Sequence, residues 1–107
     1  MSGLADKTCA PCSGDVPALE GAELEELHRQ VPGWDVVEGH HLKKRFRFAN
    51  FREALAFVNR VGGIAEEQGH HPDIRFGWGY AEVTVFTHAI DGLTENDFIL
   101  AAKVDDL

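Results

Sequence analysis

The chain has 107 residues, 44% of them apolar and 26% charged, a size and balance that fit one domain built on one core. Eighteen acidic residues against ten Lys and Arg leave a formal net charge of −8, which argues against general binding to nucleic acid or to an anionic membrane, since both need a basic face. The apolar runs fall far short of the ~18 residues that span a bilayer, the N-terminal MSGLADKTCAPCSGD lacks a leader-like apolar stretch, and two cysteines make no disulfide scaffold, so a soluble cytoplasmic protein is expected.

Residues 1–18 are polar and broken by Pro11, Gly14 and Pro17, and are expected to form a flexible or loosely docked arm ahead of a single domain over 19–107. Leu24, Leu27 and Val31 recur at helical spacing and predict a first helix at about 21–31, poorly capped by Glu20 and Gly21 and ended by Pro32-Gly33. A short strand near 34–37 and a turn at Glu38-Gly39 lead into a strand at about 41–48, where Lys43, Arg45 and Arg47 alternate with Leu42, Phe46 and Phe48. Asn50 is placed to cap a long helix over about 51–68, with Phe51, Ala54, Leu55, Val58, Val61 and Ala65 as its apolar stripe. Gly62-Gly63 interrupts that helix, and close packing against another backbone is one reason for such a pair.

After His70-His71-Pro72, a strand over about 73–78 places Ile74, Phe76 and Trp78 on one face. A turn at Gly79 then opens a last strand over about 80–87. Thr94 with Asp97 three residues on resembles a capping box, starting a closing helix at about 95–105 with Phe98, Leu100, Ala101 and Val104 inward. The order α-β-β-α-β-β-α predicts an α+β two-layer sandwich, a four-stranded antiparallel sheet with three helices on one face.

Six histidines are many for this length, and their grouping matters more than their number. His70 and His71 are adjacent and held by Pro72, which restricts His71 to extended conformations, so the two rings point apart and each takes its own task. His88 is expected to close the last strand, and Glu66 lies one helical turn before His70, placed to orient it. With an ordinary pKa near ~6.5, imidazoles on two sides of a small pocket suit an acid–base elimination, one protonating a leaving hydroxyl while the other removes a proton. The bland reading of the same residues is solvated polar groups at element ends. No nucleophilic triad, phosphate loop or dinucleotide fingerprint is present.

Glu66, His70, His71, Pro72, Trp78, His88 and Asp97 stand in the pattern E-x3-H-H-P-x5-W-x9-H-x8-D. This pattern resembles the active-site motif of the pterin-4a-carbinolamine dehydratases, also called 4a-hydroxytetrahydrobiopterin dehydratases. The stretches PGW at 32–34, FxxFxxALAFVNRV at 48–61 and THAIDGLTENDFILAAK at 87–103 read like the same family, so that the resemblance runs over about residues 19–105. It implies the same α-β-β-α-β-β-α fold and a hydro-lyase that dehydrates 4a-hydroxytetrahydropterin to quinonoid dihydropterin with no metal or organic cofactor. By position it makes His70 and His88 the acid–base pair, His71 a group that binds and orients the pterin, and Glu66 a support for His70. It also places Asp97 at the substrate and Trp78 and Trp34 as walls that stack on the pterin; read from the residues alone, Asp97 is equally a helix cap and either tryptophan is more often core. The resemblance further implies a pathway link to aromatic amino-acid hydroxylases, which generate the substrate, and a homodimer or homotetramer.

Two other readings compete. Some members of the family act as dimerisation cofactors of transcription factors, so a binding module is the alternative from another class. A zinc site of His70, His71 and His88 is the third, made awkward by the divergence of adjacent side chains. Cys9 and Cys12 form a CxxC, which by itself reads as redox-active or as half of a zinc site; no second pair stands at suitable spacing, and His40-His41 would complete a zinc site only if the arm folded onto the first hairpin. Otherwise His40 and His41 are solvated turn residues.

Overall fold

The computed structural model describes residues 3–10 and 16–107. Its elements are α1 (Gly21–Gln30), β1 (Asp35–Val37), β2 (His41–Arg47), α2 (Phe51–Gln68), β3 (Asp73–Gly77), β4 (Tyr80–Val85) and α3 (Glu95–Asp105), with short 3-10 turns at Leu4–Asp6 and His88–Ile90. The four strands form one antiparallel sheet in the order β1-β2-β4-β3. The α+β order expected from the sequence is the one observed.

Alternation sets the two sides of the sheet. Leu42 of β2 and Ala81, Val83 and Val85 of β4 are fully buried beneath the helices, while Arg45, Arg47 and Arg75 stay exposed on the other side. In register, Arg45 lies opposite Glu82, which lies opposite Arg75. At that face Arg45 also covers the Tyr80 ring at 4.2 Å.

α2 begins where the sequence places it, because Asn50 Oδ1 accepts the Glu53 backbone N–H at 2.9 Å. It ends at Gly69, whose left-handed φ of 65° suits glycine. Its core stripe differs from the expected one. Ala54, Phe57, Val61 and Ala65 are buried, whereas Phe51 and Leu55 are largely exposed, so the buried face is rotated toward Phe57, which packs 4.6 Å from Phe46 and 5.1 Å from Phe48. Nor does another backbone approach Gly62 or Gly63. A methyl group built on either would meet open space.

α3 is buried almost all round, from Asn96 through Ala101 and again at Val104. A helix apolar on every side needs cover on every side, and residues 3–10 of the expected arm supply part of it. Leu4 joins the core with 5% exposure. Lys103 Nζ donates to the Ala5 carbonyl at 2.8 Å, and Lys7 pairs with Glu95 at 2.8 Å. The Ala10 N–H donates to Asn96 Oδ1 at 2.9 Å, while Asn96 Nδ2 returns a bond to the Ala10 carbonyl at 2.7 Å. Cys9 is half-buried in this strap, and Cys12 of the CxxC lies outside the described residues.

Candidate active site

The N-terminal end of α3, the C-terminal end of α2 and the chain leaving β4 meet at one corner of the molecule. There a pocket of about 280 Å³ is lined by Gly69, His70, His71, Thr87, His88 and Ala89. Three of the six histidines, drawn from stretches 17 residues apart (71 to 88), therefore share one cavity.

His70 is nearly buried at 8% exposure, and its Nε2 lies 2.6 Å from Oδ1 of Asp97, which is completely buried. Asp97 has been placed there by its second task. Its Oδ2 accepts the Thr94 backbone N–H at 2.8 Å, half of the capping box that starts α3, and also the Thr87 hydroxyl at 2.8 Å. The Thr94 hydroxyl in turn lies 2.8 Å from that of Thr87. A carboxylate held by two donors has little freedom to turn, so the imidazole it contacts is fixed in orientation and tautomer. Asp97 thus caps its helix and braces His70, touching two residues that line the cavity, His70 and Thr87.

His71 faces solvent with its side chain 59% exposed, and its Nε2 lies 2.5 Å from Oε2 of Glu66. Glu66 was expected to support His70, four residues on. That spacing holds only while the helix continues, and the left-handed turn at Gly69 ends it. The turn swings His70 inward to Asp97 and brings His71 over Glu66.

His88 was expected to close β4. The strand instead ends at Val85, and His88 opens the 3-10 turn His88–Ile90. That turn sits in a loop clipped at its base, where the Thr87 N–H donates to the Gly92 carbonyl at 2.8 Å. The His88 ring rests against Phe86, with centroids 4.2 Å apart.

The tryptophans lie elsewhere. Trp34 has no exposed surface, and its indole N–H donates to Asp105 at 3.1 Å. Asp105 ends α3, about two turns beyond Asp97. Trp78 occupies the two-residue turn between β3 and β4 with Gly79, whose φ of 84° requires glycine, and is 72% exposed. The pocket flanks the other end of that hairpin, where Asp73 pairs with Thr84. Sequence reading missed Thr87 and Phe86, the first because a threonine at a strand end carries no chemical signal, the second because an aromatic residue after a run of strand formers reads as part of the strand. Among the described residues no three of His, Cys, Asp and Glu are grouped as a metal cage, and no helix is long and apolar enough to cross a membrane.

The geometry, two carboxylate-held imidazoles and a third on a clipped loop around a small cleft, suits proton transfer at two points of one small molecule. Comparison with known proteins points the same way. A family model described as pterin 4 alpha carbinolamine dehydratase matches residues 17–107. A protein of Rubrobacter xylanophilus named as a candidate pterin-4-alpha-carbinolamine dehydratase is 71% identical over the full length of both chains. A crystal structure from Brucella melitensis, described as a transcriptional coactivator/pterin dehydratase, aligns with a TM-score of 0.78 at 31% identity, covering 83% of this chain and 96% of that one. A pterin dehydratase-like protein identified as a RuBisCO assembly factor in the alpha-carboxysome aligns with a TM-score of 0.57 at 30% identity, covering 68% of this chain and 83% of that one.

Proposed function

The chain belongs to the pterin 4 alpha carbinolamine dehydratase family, and from that membership we propose that it is a hydro-lyase converting 4a-hydroxytetrahydropterin to quinonoid dihydropterin. The observation that carries this reading is the shared pocket of His70, His71 and His88. Loss of water from the carbinolamine needs a proton delivered to the C4a hydroxyl and a proton taken from N5. As the C4a–O bond breaks, the N5 electron pair forms the C4a=N5 double bond, and water and the quinonoid product leave. His70 and His88 are the acid–base pair. With Nε2–H of His70 donating to Asp97, its Nδ1 is the atom left to exchange a proton with the substrate. His71, held by Glu66 at the rim, binds and orients the pterin. The reaction asks for positioned proton transfer and for no electron carrier, in keeping with the cofactor-free chemistry that the family resemblance implies. The hydroxylases that produce carbinolamines are the class of enzyme that would supply this substrate, and assembly into a homodimer or homotetramer belongs to the same reading.

Stopped-flow measurement with freshly generated carbinolamine tests it. The protein should accelerate quinonoid dihydropterin formation over buffer, and His70→Ala or His88→Ala should each slow the catalysed step by about 10²-fold or more. A rate no faster than buffer would falsify the proposal.

A second reading, a binding module of the dimerisation or transcriptional cofactor kind, draws support from the descriptions of the two structural neighbours as a coactivator/dehydratase and an assembly factor. It predicts capture of a protein partner that survives both histidine substitutions, whereas the enzyme reading makes those two rings the essential groups.

A further inference from the structure

His70 and His71 each lean on a carboxylate, Asp97 and Glu66. Among the described residues His88 has no such partner, and its ring is placed by Phe86 at 4.2 Å. Phe86 packs in turn against His40, with centroids 4.7 Å apart. His40 lies at the end of the turn between β1 and β2, where its Nε2 meets Oδ1 of Asp91 at 2.7 Å and its Nδ1 lies 3.0 Å from Nδ1 of His41. Asp91 closes the loop that carries His88. It sits in the left-handed region at φ 51°, and its backbone N–H donates to the His88 carbonyl at 3.2 Å.

The contacts form a circuit from the His88 ring through Phe86 to the His40 ring, from there to the Asp91 carboxylate, and back along the chain to His88. We propose that His40 is a positioning residue for His88, gripping its loop through Asp91 and backing its ring through Phe86. This rests on the dehydratase reading, in which His88 is one of the two proton-transfer groups.

The energetics allow such a role without making His40 essential to folding. The His40 side chain is 35% exposed and that of Asp91 85%, and an ion pair or hydrogen bond so open to water adds little to overall stability. Its effect falls on geometry, because the loop's backbone ties, the Thr87–Gly92 pair among them, hold the main chain and do not orient the His88 side chain. The groups that face His40 are Asp91, His41 and, across Phe86, His88, with Glu38 and Lys43 near His41.

Two variants test the proposal, His40→Ala and His40→Gln, the second keeping an N–H for Asp91. In His40→Ala the kcat for carbinolamine dehydration should fall about tenfold while KM stays within about twofold, as expected for a displaced proton-transfer group. The ring proton–carbon resonances of His88 should move at constant pH, and His40→Gln should recover part of both effects. Unmoved His88 resonances, or an unchanged kcat in an active enzyme, would overturn the proposal. If the wild-type protein shows no dehydratase activity, the functional reading fails, and the His88 resonances alone then decide whether His40 places that ring.

Discussion

At the scale of single residues, the candidate site is a set of imidazoles whose freedom has been removed by different means. Asp97 fixes His70 from below because the carboxylate that caps α3 has a second oxygen to spare. Glu66 reaches His71 only because Gly69 ends α2 between them. The imidazole outside the pocket with a displaced titration is His41. Burial pushes it below its ordinary 6.5, the positive charges of His40 and Lys43 push the same way, and Glu38 opposes them. The unfolded chain therefore takes up this proton at higher pH than the folded chain does. Its contribution to stability is complete above about pH 6.5 and is lost as the pH falls through the folded value. Urea unfolding followed from neutral to mildly acidic pH should show a shallower acid-side loss in His41→Gln than in the wild type. Coincident pH profiles for the two proteins would show that His41 titrates alike in both states.

At the scale of elements, the helix carrying Glu66 has room for improvement. Gly62 and Gly63 face open space on α2, so alanine at either position should gain helix propensity with no clash, stabilising the domain by about 0.5–1 kcal/mol each. A loss of stability in urea melts would mean that the face is occupied in solution. The same helix shows what the sequence makes legible. Its start and its length are written in Asn50 and in helical periodicity, and both are observed. Its buried face was drawn one step away, through Leu55 instead of Phe57, since both positions are apolar and only tertiary packing on Phe46 and Phe48 chooses between them. The expected last strand also ran past the end of β4, because Phe86 and Thr87 are residue types that strands favour, while Thr87 has already turned back to bond Gly92. The histidines were legible as a group through their spaced pattern. Glu66 and Asp97 stood in the same pattern, but which carboxylate holds which ring was not legible, because 27 residues separate His70 from Asp97 and nothing local marks the contact.

At the scale of the whole molecule, α3, which carries the Asp97 that holds His70, takes part of its cover from the N-terminal residues. Residues 3–10 lie across that helix, and Leu4 is their anchor in the core. Leu4→Ala should cost about 2 kcal/mol or more, roughly 10 °C in Tm for a domain of this size. An unchanged Tm would show that the strap adds no stability. The larger arrangement brings the ends of α2, α3 and β4 to one corner, so that imidazoles from two distant stretches face one cavity. A kinetic cycle of His70→Ala, His88→Ala and the double variant reads that arrangement most directly. If both rings serve one elimination, removing the second after the first should slow carbinolamine dehydration little further. Losses that multiply, or a single variant as fast as the wild type, would contradict the claim that these two imidazoles act together on one substrate.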